Sequence, residues 1–140
     1  YWQQYKTAKH EIAHAIGFSS DSWAKMRKSD GTPRTTNHNL ESYICANGAS
    51  VSEQNIDAPS TNTIASTTKR GKRVHLVVTE RVKEVARVYY GCNSIAGAEL
   101  EDQIGAGCIG SHWEERTMFD ELMTPLADNH YAGIEYQNLH

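Results

Sequence analysis

Residues 10–20 read HEIAHAIGFSS. His10 and His14 are four positions apart, and on an α-helix that spacing stacks two side chains on one face. Two imidazoles so placed can share one metal ion, but a site that keeps a position open for water needs a third protein ligand. In the compact form of this pattern, HExxHxxGxxH, that ligand falls on position 20, which is Ser20. If the motif binds metal, a distant part of the chain must fold back onto its first helix, and this limits the fold more than any other feature. Glu11, beside His10 but outside the histidine pair, suits the role of a general base acting on water.

A match to HExxH arises by chance in roughly 3% of shuffled chains of this composition. A helical setting and a glycine three places after His14 lower that about tenfold. The helix is expected over residues 3–18, with Ile12 and Ile16 as an apolar face, Ala13 and Ala15 beside them, and the histidines on the other side. Gly17 suits the helix end, where a residue without Cβ can take a positive φ.

Residues 19–73 are rich in Ser, Thr, Asn and Gly and weakly periodic, so they read as an irregular or surface insert. Short strands are expected near 40–45 and 72–78. A second helix is expected over 79–90, where Val78, Val82, Val85, Ala86 and Tyr89 recur at helical spacing. Thr79 is placed to cap it and Gly91 to end it. Beyond lies CNSIAGAELEDQIGAGCIGSHWEERTMFDELMTP, in which glycine clusters frame an acidic stretch. Gly105, Gly107 and Gly110 lead up to His112, and a short helical run then ends at Met123-Thr124-Pro125. No GK[ST] follows the glycines, which excludes a phosphate-cradling loop.

The chain has 140 residues, enough for one domain with a core. Its 14 basic and 17 acidic side chains leave a net charge of −3, which calls for neither a nucleic-acid nor an anionic-membrane partner. The basic cluster KRGKR at 69–73 reads as a solvated loop. No apolar run approaches the ~18–20 residues of a membrane-spanning helix. Cys45, Cys92 and Cys108 form no CxxC pair, which argues against a cysteine-based zinc knuckle. A first residue of Tyr1, with the motif only nine positions on, reads as a piece of a longer protein.

Five further histidines are available as the missing ligand. His38 lies in the polar insert, His75 alternates with apolar residues in an expected strand, and His130 and His140 have no supporting motif. His112 stands apart, because it follows a glycine loop and precedes Met123, in its proline turn, by eleven positions. A carboxylate from Glu99, Glu101, Glu114 or Glu115 is the alternative. It would require a second helix, and the GAELED stretch with its flanking glycines reads poorly as one.

HEIAHAIGF at 10–18, GC at 91–92, GAELEDQ at 97–103 and GSHWEERTMFDELM at 110–123 together resemble the leishmanolysin family, whose members are metzincin zinc endopeptidases. The family carries an insertion between the zinc helix and the third histidine, and here 97 residues separate His14 from His112. The resemblance implies an α+β, metzincin-type fold lacking its N-terminal sheet. It divides the partial catalytic domain 1–140 into a zinc helix at 1–18, a polar insert at 19–73 and a subdomain at 74–140. It implies one Zn2+ held by His10, His14 and His112, Glu11 as catalytic base, and Met123 as the Met-turn residue beneath the metal. It further implies protein or peptide substrates and an extracellular or cell-surface location, although the family has intracellular members. Membrane association would run through parts outside this chain. Family members carry many disulfides, so Cys108 is expected to pair with Cys45 or Cys92. The sequence departs from other metzincins in having Pro125, not tyrosine, two positions after Met123. Two rival readings remain: a catalytically inactive adhesion or binding module on a protease-like scaffold, and a structural zinc protein with four ligands.

Overall fold

A computed structural model of the chain describes residues 1–36, 59–101, 110–119 and 121–125. The expected strand at 40–45, together with His38, Cys45, Gly105, Gly107, Cys108, His130 and His140, lies outside the described residues. The elements are α1 (Trp2–Ala15), a 3-10 turn (Trp23–Lys25), β1 (Ile64–Lys69), β2 (Lys72–Val77), α2 (Glu80–Tyr90), β3 (Ala98–Leu100) and α3 (Glu115–Met118). The three strands form one antiparallel sheet in the order β1-β2-β3, so the described part is α+β. None of its helices is long and apolar enough to cross a membrane.

Helix α1 ends at Ala15, and Gly17 then takes a φ of +126°, which side chains disfavour. The expected apolar face is not the packed one. Ile12 and Ile16 are 57% and 78% exposed, whereas Ala13 is buried. The reason lies in the histidine side of the helix, whose ring nitrogens find partners inside the protein. That side turns inward and carries Ala13, about 60° from His10, with it; Ile12 and Ile16, roughly 200° and 240° from His10, point away.

Parts of the stretch read as an irregular insert are ordered. Trp23, Ala24 and Thr35 are buried, and Ile64–Lys69 form β1. Its sequence, IASTTK, is polar because four of its six residues are exposed, which hides the alternation that marks a half-buried strand. The basic cluster at 69–73 is the tip of the β1–β2 hairpin. Lys69 pairs with Lys72 across a two-residue turn in which Arg70 and Gly71 both have positive φ, the geometry that matches strand twist. Arg70, Lys72 and Arg73 are exposed, as expected of a solvated segment, but Lys69 makes an ion pair of 2.6 Å with the buried Glu99.

Helix α2 matches its expected span. Thr79 occupies the cap position without a side-chain cap bond, and Gly91 ends the helix in the left-handed conformation. The stretch that reads poorly as a helix, Ala98–Leu100, is β3. Among the described residues Cys92 is an exposed, free thiol. The core joins Ala13 and Phe18 from the first segment, Val77, Ala98 and Leu100 from the sheet, Trp23, and Trp113, Met118 and Met123 from the C-terminal segment. Residues near both ends of the described chain therefore share one apolar cluster, and the candidate site sits where they meet.

Candidate metal centre

Three segments meet at the site: α1, the strand-like stretch 112–114, and the turn 121–125. The stretch 112–114 is held by an antiparallel bridge to the end of β3. Glu101 N–H donates to the His112 carbonyl (2.9 Å) and Glu114 N–H to the Glu99 carbonyl (2.9 Å), with Leu100 opposite Trp113. On its other side, Trp113 N–H donates to the Met123 carbonyl (2.8 Å). Trp113 and Met123 are almost wholly buried, and Phe18 stacks edge-on against Trp113 with ring centroids 4.7 Å apart. Packing on both sides thus fixes where His112 can be.

Gly110 sets the approach to His112. Its φ is +112°, and a Cβ there would lie 3.0 Å from Trp23 Nε1, which donates to the Gly110 carbonyl at 2.7 Å. Only a residue without a side chain allows both the backbone angle and the bond.

The rings of His10, His14 and His112 come together, with centroid separations of 4.6 to 5.1 Å. One nitrogen from each lies within 4.8 Å of the others, and no other such group of three occurs among the described residues. Each Nδ1 is committed. His10 Nδ1 lies 2.7 Å from the Leu122 carbonyl, His14 Nδ1 2.7 Å from the Phe18 carbonyl, and His112 Nδ1 2.8 Å from Glu101 Oε2. A carbonyl or carboxylate oxygen only accepts, so every Nδ1 carries the proton, and each neutral ring is left with an Nε2 lone pair.

His10 Nε2 and His14 Nε2 are 3.1 Å apart. Two lone pairs facing each other at that distance repel unless a proton or a cation lies between them. Two nitrogens on a tetrahedral zinc ion are separated by about 3.3 Å, from bond lengths near 2.05 Å. The donor set, the tautomers and the spacing all fit a divalent metal.

Glu11 follows His10 by 100° around the helix and is exposed. Met123 is fully buried. Glu121, two positions earlier, is also buried, and desolvation pushes its carboxyl up to about 7. His75 hydrogen-bonds Ser66 Oγ across the β1–β2 ladder at 3.0 Å and is not among the three grouped histidines. Glu99 and Glu114 are engaged by Lys69 and Arg116, and Glu101 by His112 itself. A 510 Å³ apolar concavity flanks the other side of α1, and none of His10, Glu11, His14 or His112 lines it.

Sequence reasoning missed the three groups that fix the ring orientations. The carbonyls of Phe18 and Leu122 leave no trace in residue type. Glu101 did carry a signal, an acid near a candidate ligand, but it read as a possible ligand and not as a partner of one.

The family model described as Leishmanolysin matches residues 2–139. A leishmanolysin-like peptidase of Caenorhabditis briggsae is 38% identical over 127 residues, covering 84% of this chain and 19% of the relative. One from Drosophila melanogaster is 39% identical over 127 residues, covering 84% and 18%. Leishmanolysin of Leishmania major is 33% identical over 122 residues, covering 87% and 15%. The chain thus spans less than a fifth of the length of these curated relatives. No solved structure matches it significantly.

Proposed function

The chain belongs to the leishmanolysin family, and from that premise we propose that it forms the zinc-binding heart of a metzincin-type endopeptidase acting on proteins or peptides. One observation carries the reading: three imidazoles, each with its Nδ1 spent on an acceptor, bring one ring nitrogen apiece within 4.8 Å of the others. His10, His14 and His112 are the residues that hold the metal. Bound zinc supplies Lewis acidity, polarising a peptide carbonyl and making water a better nucleophile at neutral pH.

Glu11 does the proton work. As a carboxylate it accepts a proton from the attacking water, then delivers it to the amine nitrogen leaving the cleaved peptide bond. Its exposure leaves it open to water and substrate. The hydrogen bonds to Phe18, Leu122 and Glu101 fix the tautomer and orientation of the three rings. Met123 serves as the apolar floor of the site, in keeping with its complete burial. An extracellular or cell-surface setting belongs to the same proposal and rests on the family resemblance.

The test is Glu11→Ala in the full-length protein, assayed on a denatured protein substrate. Cleavage is expected to fall by about 10²- to 10⁴-fold while bound zinc stays near one per chain. Zinc lost together with activity would instead assign the cluster a structural role.

A further inference from the structure

The three histidines are not held alike. His10 and His14 are oriented by neutral backbone carbonyls, whereas His112 is oriented by a carboxylate. Building on the zinc reading above, we infer that Glu101 is the positioning residue of the third ligand, fixing the His112 tautomer and strengthening its Nε2 as a donor.

The pairing between the two residues is reciprocal. Glu101 N–H donates to the His112 carbonyl at 2.9 Å, and His112 Nδ1–H donates to Glu101 Oε2 at 2.8 Å. The backbone bond registers Glu101 beside His112 as part of the Leu100–Trp113 bridge, and the side-chain bond then sets the ring. With side chains 17% and 26% exposed, the pair is shielded enough for the charge to act on the ring. An ordinary exposed ion pair contributes little because water screens it and two long side chains lose freedom. Here the strand pairing has already placed both residues.

The chemical consequence is specific to His112. A carboxylate accepting the Nδ1 proton stabilises positive charge on the imidazole, so Nε2 donates its lone pair more strongly. His112 also needs this more than the others do. His10 and His14 come ready-stacked on one helix, but His112 arrives from a separate segment preceded by a glycine. Outer partners of this kind commonly change metal affinity by about 10- to 100-fold.

The experiment measures zinc affinity by chelator competition, and the visible spectrum of the Co2+-substituted protein, in the full-length protein and its Glu101→Ala and Glu101→Gln variants. Glu101→Ala is expected to bind zinc about 10- to 100-fold more weakly and to shift the Co2+ bands. Glu101→Gln, which keeps an acceptor but not the charge, should fall between. Should the alanine variant fail to fold, the glutamine variant decides. Affinities within twofold of the parent and unshifted Co2+ bands would overturn the inference while leaving the zinc reading intact. A parent protein that binds no zinc would instead remove the zinc reading itself.

Discussion

The ring of His10 donates its Nδ1 proton to the carbonyl of Leu122, across 112 positions of sequence, at 2.7 Å. Through this bond the turn holding Met123 sets the orientation of a residue on the first helix. The same turn accepts Trp113 N–H, one residue after His112. Damage to it should therefore reach both halves of the site.

Met123→Ala tests that coupling. Removing a fully buried methionine costs about 2–5 kcal/mol through lost burial and the cavity left behind. The variant should show a lowered denaturation midpoint and weaker zinc binding. A stability loss with unchanged zinc affinity would show that the turn does not govern the histidines.

Gly110→Ala forces a side chain into a φ of +112° and brings Cβ to 3.0 Å from the indole that Gly110 itself binds. A cost of roughly 1–3 kcal/mol is expected. Trp23→Phe, which removes the indole donor and also shrinks a buried ring, should likewise cost about 1–3 kcal/mol. Urea unfolding is the check, with both variants expected to be less stable than the parent.

Chelation should destabilise the protein. Zinc bound only by the folded state at 100 times its dissociation constant adds about 2.7 kcal/mol. Its removal also leaves two Nε2 lone pairs 3.1 Å apart. Calorimetry should show a lower Tm after chelation and recovery on adding zinc. The shift should vanish in His112→Ala, which lacks one of the three donors.

Glu121 gives a pH signature of opposite sign to that of most carboxylates. Its carboxyl is raised by burial from 4.5 to about 7, so between those values the folded state holds a proton that the unfolded state has released. The stability from the protonated form is complete below about pH 4.5 and is lost as pH rises through 7. Its size is up to about 3 kcal/mol by linkage. Unfolding followed from pH 4 to 8 should show this decline, and Glu121→Gln should flatten it. An unchanged slope in the variant would show that another group titrates.

What could be read from the sequence is local. The i, i+4 spacing of His10 and His14, the span of α2 with its terminal Gly91, and the poor helical character of GAELED all depend on neighbours within one or two turns. His112 could be singled out by its glycines and its distance from Met123, because those too are short-range patterns. The inward turn of α1 was decided only by tertiary structure. Ile12 and Ile16 carry the apolar signal, yet the histidine side turns inward because the Leu122 and Phe18 carbonyls accept from its ring nitrogens. Strand β1 was hidden because its exposed threonines pair through backbone atoms that every sequence possesses. Backbone carbonyls likewise orient His10 and His14. Residue type specifies which rings can bind a metal, but only the folded chain, through two backbone carbonyls and the Glu101 carboxylate it brings beside His112, specifies which nitrogen each ring presents.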